Sequence, residues 1–166
     1  MTTATLQGLP AAIGPNCALL VLGSFPGAAS LRAQQYYGHP HNHFWPLVGA
    51  IVGLDLMAMP YAERLALVQS RGLGLWDVYG ACQRQGSLDA DIREPVLNDL
   101  HSLLQRAPAL RLVAHNGGES ARARRHTVAL GLPVLRLPSS SPANASWSFE
   151  RKLHAWRAAF QQAGIA

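Results

Sequence analysis

The chain has 166 residues, 49% of them apolar, which suits one compact domain around one core, expected to span residues 1–166. No run reaches the roughly 18 uninterrupted apolar residues of a membrane helix, and the opening MTTATLQGLP lacks the basic start and apolar run of a secretory leader, so the expected location is the cytoplasm. Two cysteines, Cys17 and Cys82, exclude a disulfide framework, a four-cysteine zinc site and a cysteine-ligated iron–sulfur cluster, and fourteen Lys+Arg against nine Asp+Glu leave a net charge of +5, which suits a polyanionic partner.

The basic residues are thirteen arginines and the single lysine Lys152. That choice favours planar, bidentate contacts to phosphate and leaves little material for Schiff-base chemistry.

In chain order, Ala18 to Gly23 is a continuous apolar run closed by glycine, the pattern of a strand buried on both faces in a parallel sheet. Helical patterns follow over Phe44 to Val52 and Tyr61 to Gln69, with a weaker strand pattern over Leu73 to Tyr79 and a surface loop over Gln83 to Asp91. A helix is expected over Val96 to Gln105, a strand over Arg111 to His115, and a helix over Glu119 to Leu130. The last strand is expected over Pro133 to Leu137 and the last helix over Ser148 to Gln162, with Ser148 as its N-cap. Strands alternating with helices at this spacing predict a three-layer α/β/α sandwich around a mostly parallel, four-stranded sheet. Ligands of such sheets bind beyond the carboxyl ends of the strands. GSFPG, HNGG and LPSSSPANA each follow a strand end, so all three should meet on one rim.

Residues 23–45, GSFPGAASLRAQQYYGHPHNHFW, gather glycine, proline, aromatic and histidine residues that no core element requires. Gly23 and Gly27 permit close backbone approach. His39, His41 and His43 alternate and could aim at one metal, but no carboxylate lies in the loop; solvent-facing or hydrogen-bonding histidines are the larger expectation. Asn116 before two glycines is either a turn residue or a reader of a polar edge.

Taken together, LGSFPG with YYGHPHNHFW downstream, HNG after a middle strand and LPSSSPANASWSFE after a late one resemble the uracil-DNA glycosylase superfamily, closest to its hypoxanthine (deoxyinosine) branch. The resemblance spans nearly the whole chain. It implies a monofunctional DNA glycosylase of base excision repair that hydrolyses the N-glycosidic bond of deaminated bases in double-stranded DNA, without lyase activity. No cofactor and no metal are implied, and a monomer is expected, at the nucleoid if the source is bacterial. A uracil glycosylase, or a nucleic-acid-binding module without catalysis, is the alternative.

Many superfamily members carry a water-activating Asp or Asn where this chain has Phe25. The resemblance assigns that role instead to Asn42, and base holding to Asn116 and Tyr37, with Gly23, Ser24 and Phe25 around the base. The late motif lacks the histidine of the common uracil glycosylases and has Ser139, Ser140 and Ser141 around its prolines. By resemblance these serines clamp the DNA backbone, while Asn144 and Ala145 insert into the gap. Arg122, with Arg124, Arg125 and His126, forms a basic run that points over more than one helix face, and Arg122 is the expected phosphate contact. The whole reading requires the amides of Asn42 and Asn116 to face one base-sized cavity.

Overall fold

A computed structural model describes residues 4–166; the first three residues of the stretch considered for a leader lie outside it. The elements in chain order are β1 (Leu6–Gln7), β2 (Leu19–Gly23), α1 (Ala28–Ala33), α2 (Phe44–Val52), α3 (Tyr61–Ser70), β3 (Leu73–Asp77), β4 (Tyr79–Gln83), β5 (Arg93–Leu97), α4 (Leu103–Arg106), β6 (Leu112–Asn116), α5 (Gly118–Ala121), α6 (Arg124–Val128), β7 (Val134–Leu137) and α7 (Phe149–Gln162). The four expected strands form one parallel sheet of order β3-β2-β6-β7, with Leu19 opposite Leu73 on one side and Leu112 on the other.

Every residue of β2, β3 and β6 is buried, as a sheet covered on both faces demands. Successive side chains alternate between the faces. Leu19, Val21, Leu75 and Ala114 pack with Phe44, Trp45, Leu47, Val68, Trp156 and Phe160 beneath α2, α3 and α7. Leu20, Leu22 and Val113 point the other way, toward Trp76, Val78, Cys82, Leu100, Leu103 and Ala123. The predicted cap of α7 is present: the Ser148 hydroxyl accepts the Arg151 N–H at 3.2 Å. Both cysteines are free and buried.

Two expected helices come out differently. Val96 and Leu97 lie in β5, an exposed strand, and helical structure begins only at Leu100. Asn98 is the reason. Its N–H donates to Val78 O at 2.9 Å and its side-chain amide to Asp77 O at 2.8 Å, which pins the chain across the end of β3 and stops a helix from passing through. β5 instead joins β4 and β1 in a small antiparallel sheet of order β1-β4-β5, so the second face of the main sheet is covered partly by strands. Pro95 costs this edge strand no hydrogen bond.

The helix expected over Glu119 to Leu130 is broken into α5 and α6. At the break, Arg122 N donates to Glu119 O and Ala123 N to Ser120 O, the tighter i to i−3 spacing. Buried His115 holds both halves: Nδ1 lies 2.8 Å from the Ser120 hydroxyl and Nε2 2.8 Å from that of Thr127. Because Ser120 gives its own proton to Leu22 O, His115 donates from Nδ1, while the Thr127 hydroxyl that faces Nε2 also donates to Arg124 O at 3.1 Å. Among the described residues no helix is long and apolar enough to cross a membrane.

Candidate active site

The carboxyl ends of the parallel strands place Gly23, Asp77 and Asn116 on one rim, with Gly23 paired to Asp77 and Asn116 to Leu137. Asn116 is buried and both ends of its amide are engaged. Oδ1 accepts the Ser140 N–H at 3.0 Å, while Nδ2 donates to the Ser140 hydroxyl at 2.9 Å and to the Tyr37 hydroxyl at 3.2 Å. Gly117 beside it has φ +93, and a Cβ there would stand 3.0 Å from Ser139, so only glycine lets the late loop approach this closely.

Tyr37 is held in the left-handed region at φ 55, a rare conformation for a bulky residue that costs on the order of 1–3 kcal/mol. Gly38 after it is tied down by its N–H to the Ser30 hydroxyl at 2.9 Å. The strained backbone aims the Tyr37 ring flat against Phe44, centroids 4.0 Å apart at 20°, and its hydroxyl at Asn116. Burial and the neighbouring Asp77 push the Tyr37 phenol well above its ordinary value, so it remains a hydrogen-bond donor at neutral pH. Tyr36, by contrast, is core.

Asn42 faces a cleft of about 620 Å³ that it shares with His41, His43, Asn144, Ala145 and Lys152. Its Oδ1 accepts the Phe44 N–H at 2.9 Å at the start of α2, which leaves one lone pair of that oxygen and the NH2 group for other partners. Asn116 is not among the residues lining this cleft, so the two amides do not share one cavity here. Ser140 bridges them instead, binding Asn116 as above and accepting the His43 N–H on its carbonyl at 2.9 Å. The separation follows from Ser140 filling the space in front of Asn116.

The lone lysine is buried at the cleft. Lys152 Nζ lies 3.3 Å from His43 Nδ1 and 3.5 Å from Ser141 O. Burial lowers the Lys152 ammonium, and burial together with the Lys152 charge lowers the His43 imidazole. His39 and His41 pack edge to face, with the His41 N–H donating to His39 Nδ1 at 3.0 Å, while His43 turns to Phe149. The three imidazoles thus do not converge, and among the described residues no group of three or more His, Cys, Asp or Glu is placed to hold a metal ion.

The remaining predicted residues take varied places. Ser24 donates its hydroxyl to Asp89 at 2.5 Å. Phe25 is buried in the second core with the Arg84 guanidinium 5.3 Å above its ring. Ser139 and Ser141 are half-buried and shape the late loop: the Ser139 hydroxyl accepts the Ser141 N–H, and the Ser139 carbonyl accepts the Asn144 amide. Ala145 is exposed. Arg122 is exposed and pairs with Glu119 at 3.1 Å.

Sequence reasoning missed four groups that build this rim: Asp77, Asp89, Arg84 and Lys152. The loop over Gln83 to Asp91 is not a passive surface turn. It folds back on the GSFPG loop, through Ser24 to Asp89 and through the Ala28 N–H to the Ser87 hydroxyl at 2.9 Å. Asp77 was open to discovery, because it closes an apolar run and so had to reach the rim. The residue is 5% exposed, and its carboxyl is pushed up to about 7 by burial and by Asp89, against the pull of Arg84.

The relatives of this chain agree with its geometry. A model of the uracil DNA glycosylase superfamily matches residues 10–161. Hypoxanthine DNA glycosylase of Methanosarcina barkeri (strain Fusaro / DSM 804) is 40% identical over 156 residues, covering 94% of this chain and 98% of that one. The protein of the same description from Methanosarcina acetivorans is 39% identical over 155 residues, covering 93% and 98%. A solution NMR structure from Methanosarcina acetivorans, provisionally assigned as a uracil DNA glycosylase, superposes with a TM-score of 0.87 at 38% identity, covering 97% of this chain and 99% of that one. With its fold, its motifs and nearly its whole length matched, the chain belongs to the uracil DNA glycosylase superfamily.

Proposed function

We propose that this chain, acting as one domain over residues 1–166, is a monofunctional DNA glycosylase that excises hypoxanthine from deoxyinosine in duplex DNA. The observation that carries the choice of a deaminated base is the hydrogen-bonding of Asn116, and the similarity to two hypoxanthine DNA glycosylases supports hypoxanthine over uracil. Ser140 offers it a donor, the backbone N–H, beside an acceptor, the hydroxyl oxygen. Hypoxanthine offers the same pair in its ring N–H and adjacent carbonyl, as does uracil, whereas adenine and cytosine reverse it. A flipped hypoxanthine therefore takes the place of Ser140 against the amide, and the late loop swings from base mimic to backbone clamp.

The chemistry follows from the residues present. The nucleotide leaves the stack, at a cost of a few kcal/mol that is lowest for a mispaired lesion, and its base is held by Asn116 and by the Tyr37 ring. Ser24 and Gly23 lie at the same rim, and Phe25 stiffens the loop behind them. Asn42 orients water toward the anomeric carbon with the free lone pair of Oδ1. Because an amide is a poor proton acceptor, the rate rests on positioning and on stabilising the departing base in an oxocarbenium-like transition state. Ser139, Ser140 and Ser141 contact phosphates, Asn144 and Ala145 fill the gap, and Arg122 adds a phosphate contact. The reaction needs no cofactor or metal, and the enzyme works as a monomer.

Duplexes carrying inosine, uracil or only ordinary pairs, incubated with the protein and then treated with alkali to break abasic sites, test this reading. Cleavage at inosine, faster than at uracil, is the expected result. Cleavage confined to uracil makes the protein a uracil glycosylase, and retention of DNA without cleavage makes it a binding module.

A further inference from the structure

Asp77 is the one buried carboxylate on the rim whose chemistry nothing above uses. It ends β3 directly beside Gly23, and a Cβ on Gly23 would collide with Asp77 Oδ1 and come within 3.3 Å of the Tyr37 hydroxyl. Carboxyl, phenol and the Asn116 amide, which the same phenol contacts, thus close around one small space floored by glycine. Asp77 Oδ2 is buried without a hydrogen-bond partner. A buried polar atom left unpaired costs on the order of 1–3 kcal/mol. A structural carboxylate would be paired, so this one is held for something that arrives.

Resting on the hypoxanthine reading above, we propose that Asp77 is the general acid of the reaction, delivering its carboxyl proton to N7 of the flipped purine. As the N9–C1′ bond breaks, its electron pair moves into the imidazole portion of the purine, and the proton from Asp77 neutralises the leaving group as the 7H tautomer. Water bonds to C1′ and releases one proton, which passes to solvent, and the Asp77 carboxylate takes one back. The sum is base-bearing sugar plus water giving free hypoxanthine and the abasic sugar. Uracil has no atom equivalent to N7, so an acid at this position favours purine lesions over uracil.

The surroundings suit the role. Burial and the Asp89 charge raise Asp77 from its ordinary 3.8 to about 7, with Arg84 opposing, and Tyr36 and Tyr37 beside it are uncharged at neutral pH. A carboxyl held neutral near the working pH is what general-acid catalysis asks for. It also stabilises the departing base, on which the rate rests because the Asn42 amide is a poor proton acceptor.

Single-turnover excision of hypoxanthine from a deoxyinosine duplex, followed from about pH 5.5 to about pH 9, tests the proposal in the wild type and in Asp77→Asn. The wild-type rate should fall about tenfold per pH unit above about 7. Asp77→Asn, nearly isosteric, should be slower by about 10²-fold or more at acid pH, lack that limb, and show a smaller inosine-over-uracil rate ratio. A wild-type profile level to pH 9, or a variant as fast as the wild type, overturns the acid while leaving the glycosylase intact. A wild type that releases no hypoxanthine at any pH overturns the underlying activity, and the acid with it. The wild-type profile decides the matter even if the variant folds poorly.

Discussion

Tyr37 and Asn116 depend on each other across nearly half the chain: a strained backbone turns the ring onto Phe44 and the hydroxyl onto the amide. Removing the ring should cost a stacking contact of about 1–3 kcal/mol. Tyr37→Ala is therefore expected to weaken binding of inosine DNA by roughly 5- to 150-fold, while Tyr37→Phe keeps the stack and loses only the hydroxyl contact; titration of a fluorescent lesion duplex measures both. Asn116→Ala should lose inosine excision by at least about 10²-fold, since a site built to pair with a polar edge fails without its partner, with its circular-dichroism spectrum unchanged. Unchanged excision would remove Asn116 from the site. Asn42, Tyr37 and Asn116 stand out as candidates because they sit in contiguous motifs of unusual composition, although among the described residues the cavity expected to join Asn42 and Asn116 is absent. Asp89, Arg84 and Lys152 do not, because each acquires meaning only from a partner far away in the chain: Ser24 for Asp89, Pro26 for Arg84 and His43 for Lys152; the position of Asp77 at the end of an apolar run was readable, but its closeness to Gly23 was not.

Among the elements, the central strands were legible from their uninterrupted apolar runs, and α2 and α7 from their periodicity and cap. β4 and β5 were not. β5 is exposed along its length and so shows no apolar pattern, and its place is fixed by Asn98 bonding to the end of β3, a contact without local signature. The α5–α6 break is likewise invisible locally, since it is imposed by His115 from the neighbouring strand. Burial, then the Arg124 charge, lower the His115 imidazole from 6.5 to about 4, with Ser120 opposing. A depressed pKa means that the unfolded chain takes the proton first. The stability His115 contributes is present above pH 6.5 and is lost as pH falls through about 4, up to ~3 kcal/mol. Asp77, raised from 3.8 to about 7, acts with the opposite sign: its contribution is complete below 3.8 and is lost as pH rises through about 7, up to ~4 kcal/mol. In the window they share the two offset, so denaturant unfolding of the wild type should vary little there. Asp77→Asn should be more stable than the wild type at neutral pH and should lose about 2–3 kcal/mol on acidification, the His115 part alone. A variant as level as the wild type contradicts this account.

For the molecule as a whole, the excess of +5 and the exposed arginines of the α5–α6 region predict a salt-sensitive encounter with DNA. If about four phosphates are neutralised, affinity for an undamaged duplex should fall by roughly 10²-fold between about 50 and 200 mM salt; a level salt response argues against duplex binding. The three-layer parallel architecture was legible because alternation of strand and helix leaves few other solutions. The small antiparallel sheet that replaces part of one helical layer was not. The same architecture governs how the protein is made. β2, at the centre, pairs with β6 from the far half of the chain, and contacts this distant in sequence form slowly. During synthesis, β2 and β3 emerge long before β6 and β7, so one flank of β2 stays unpaired and apolar while the ribosome works through the rest. A pause there would leave that flank open to another nascent chain, and slow translation over residues 80–110 should lower soluble yield before it touches the activity of molecules that do mature.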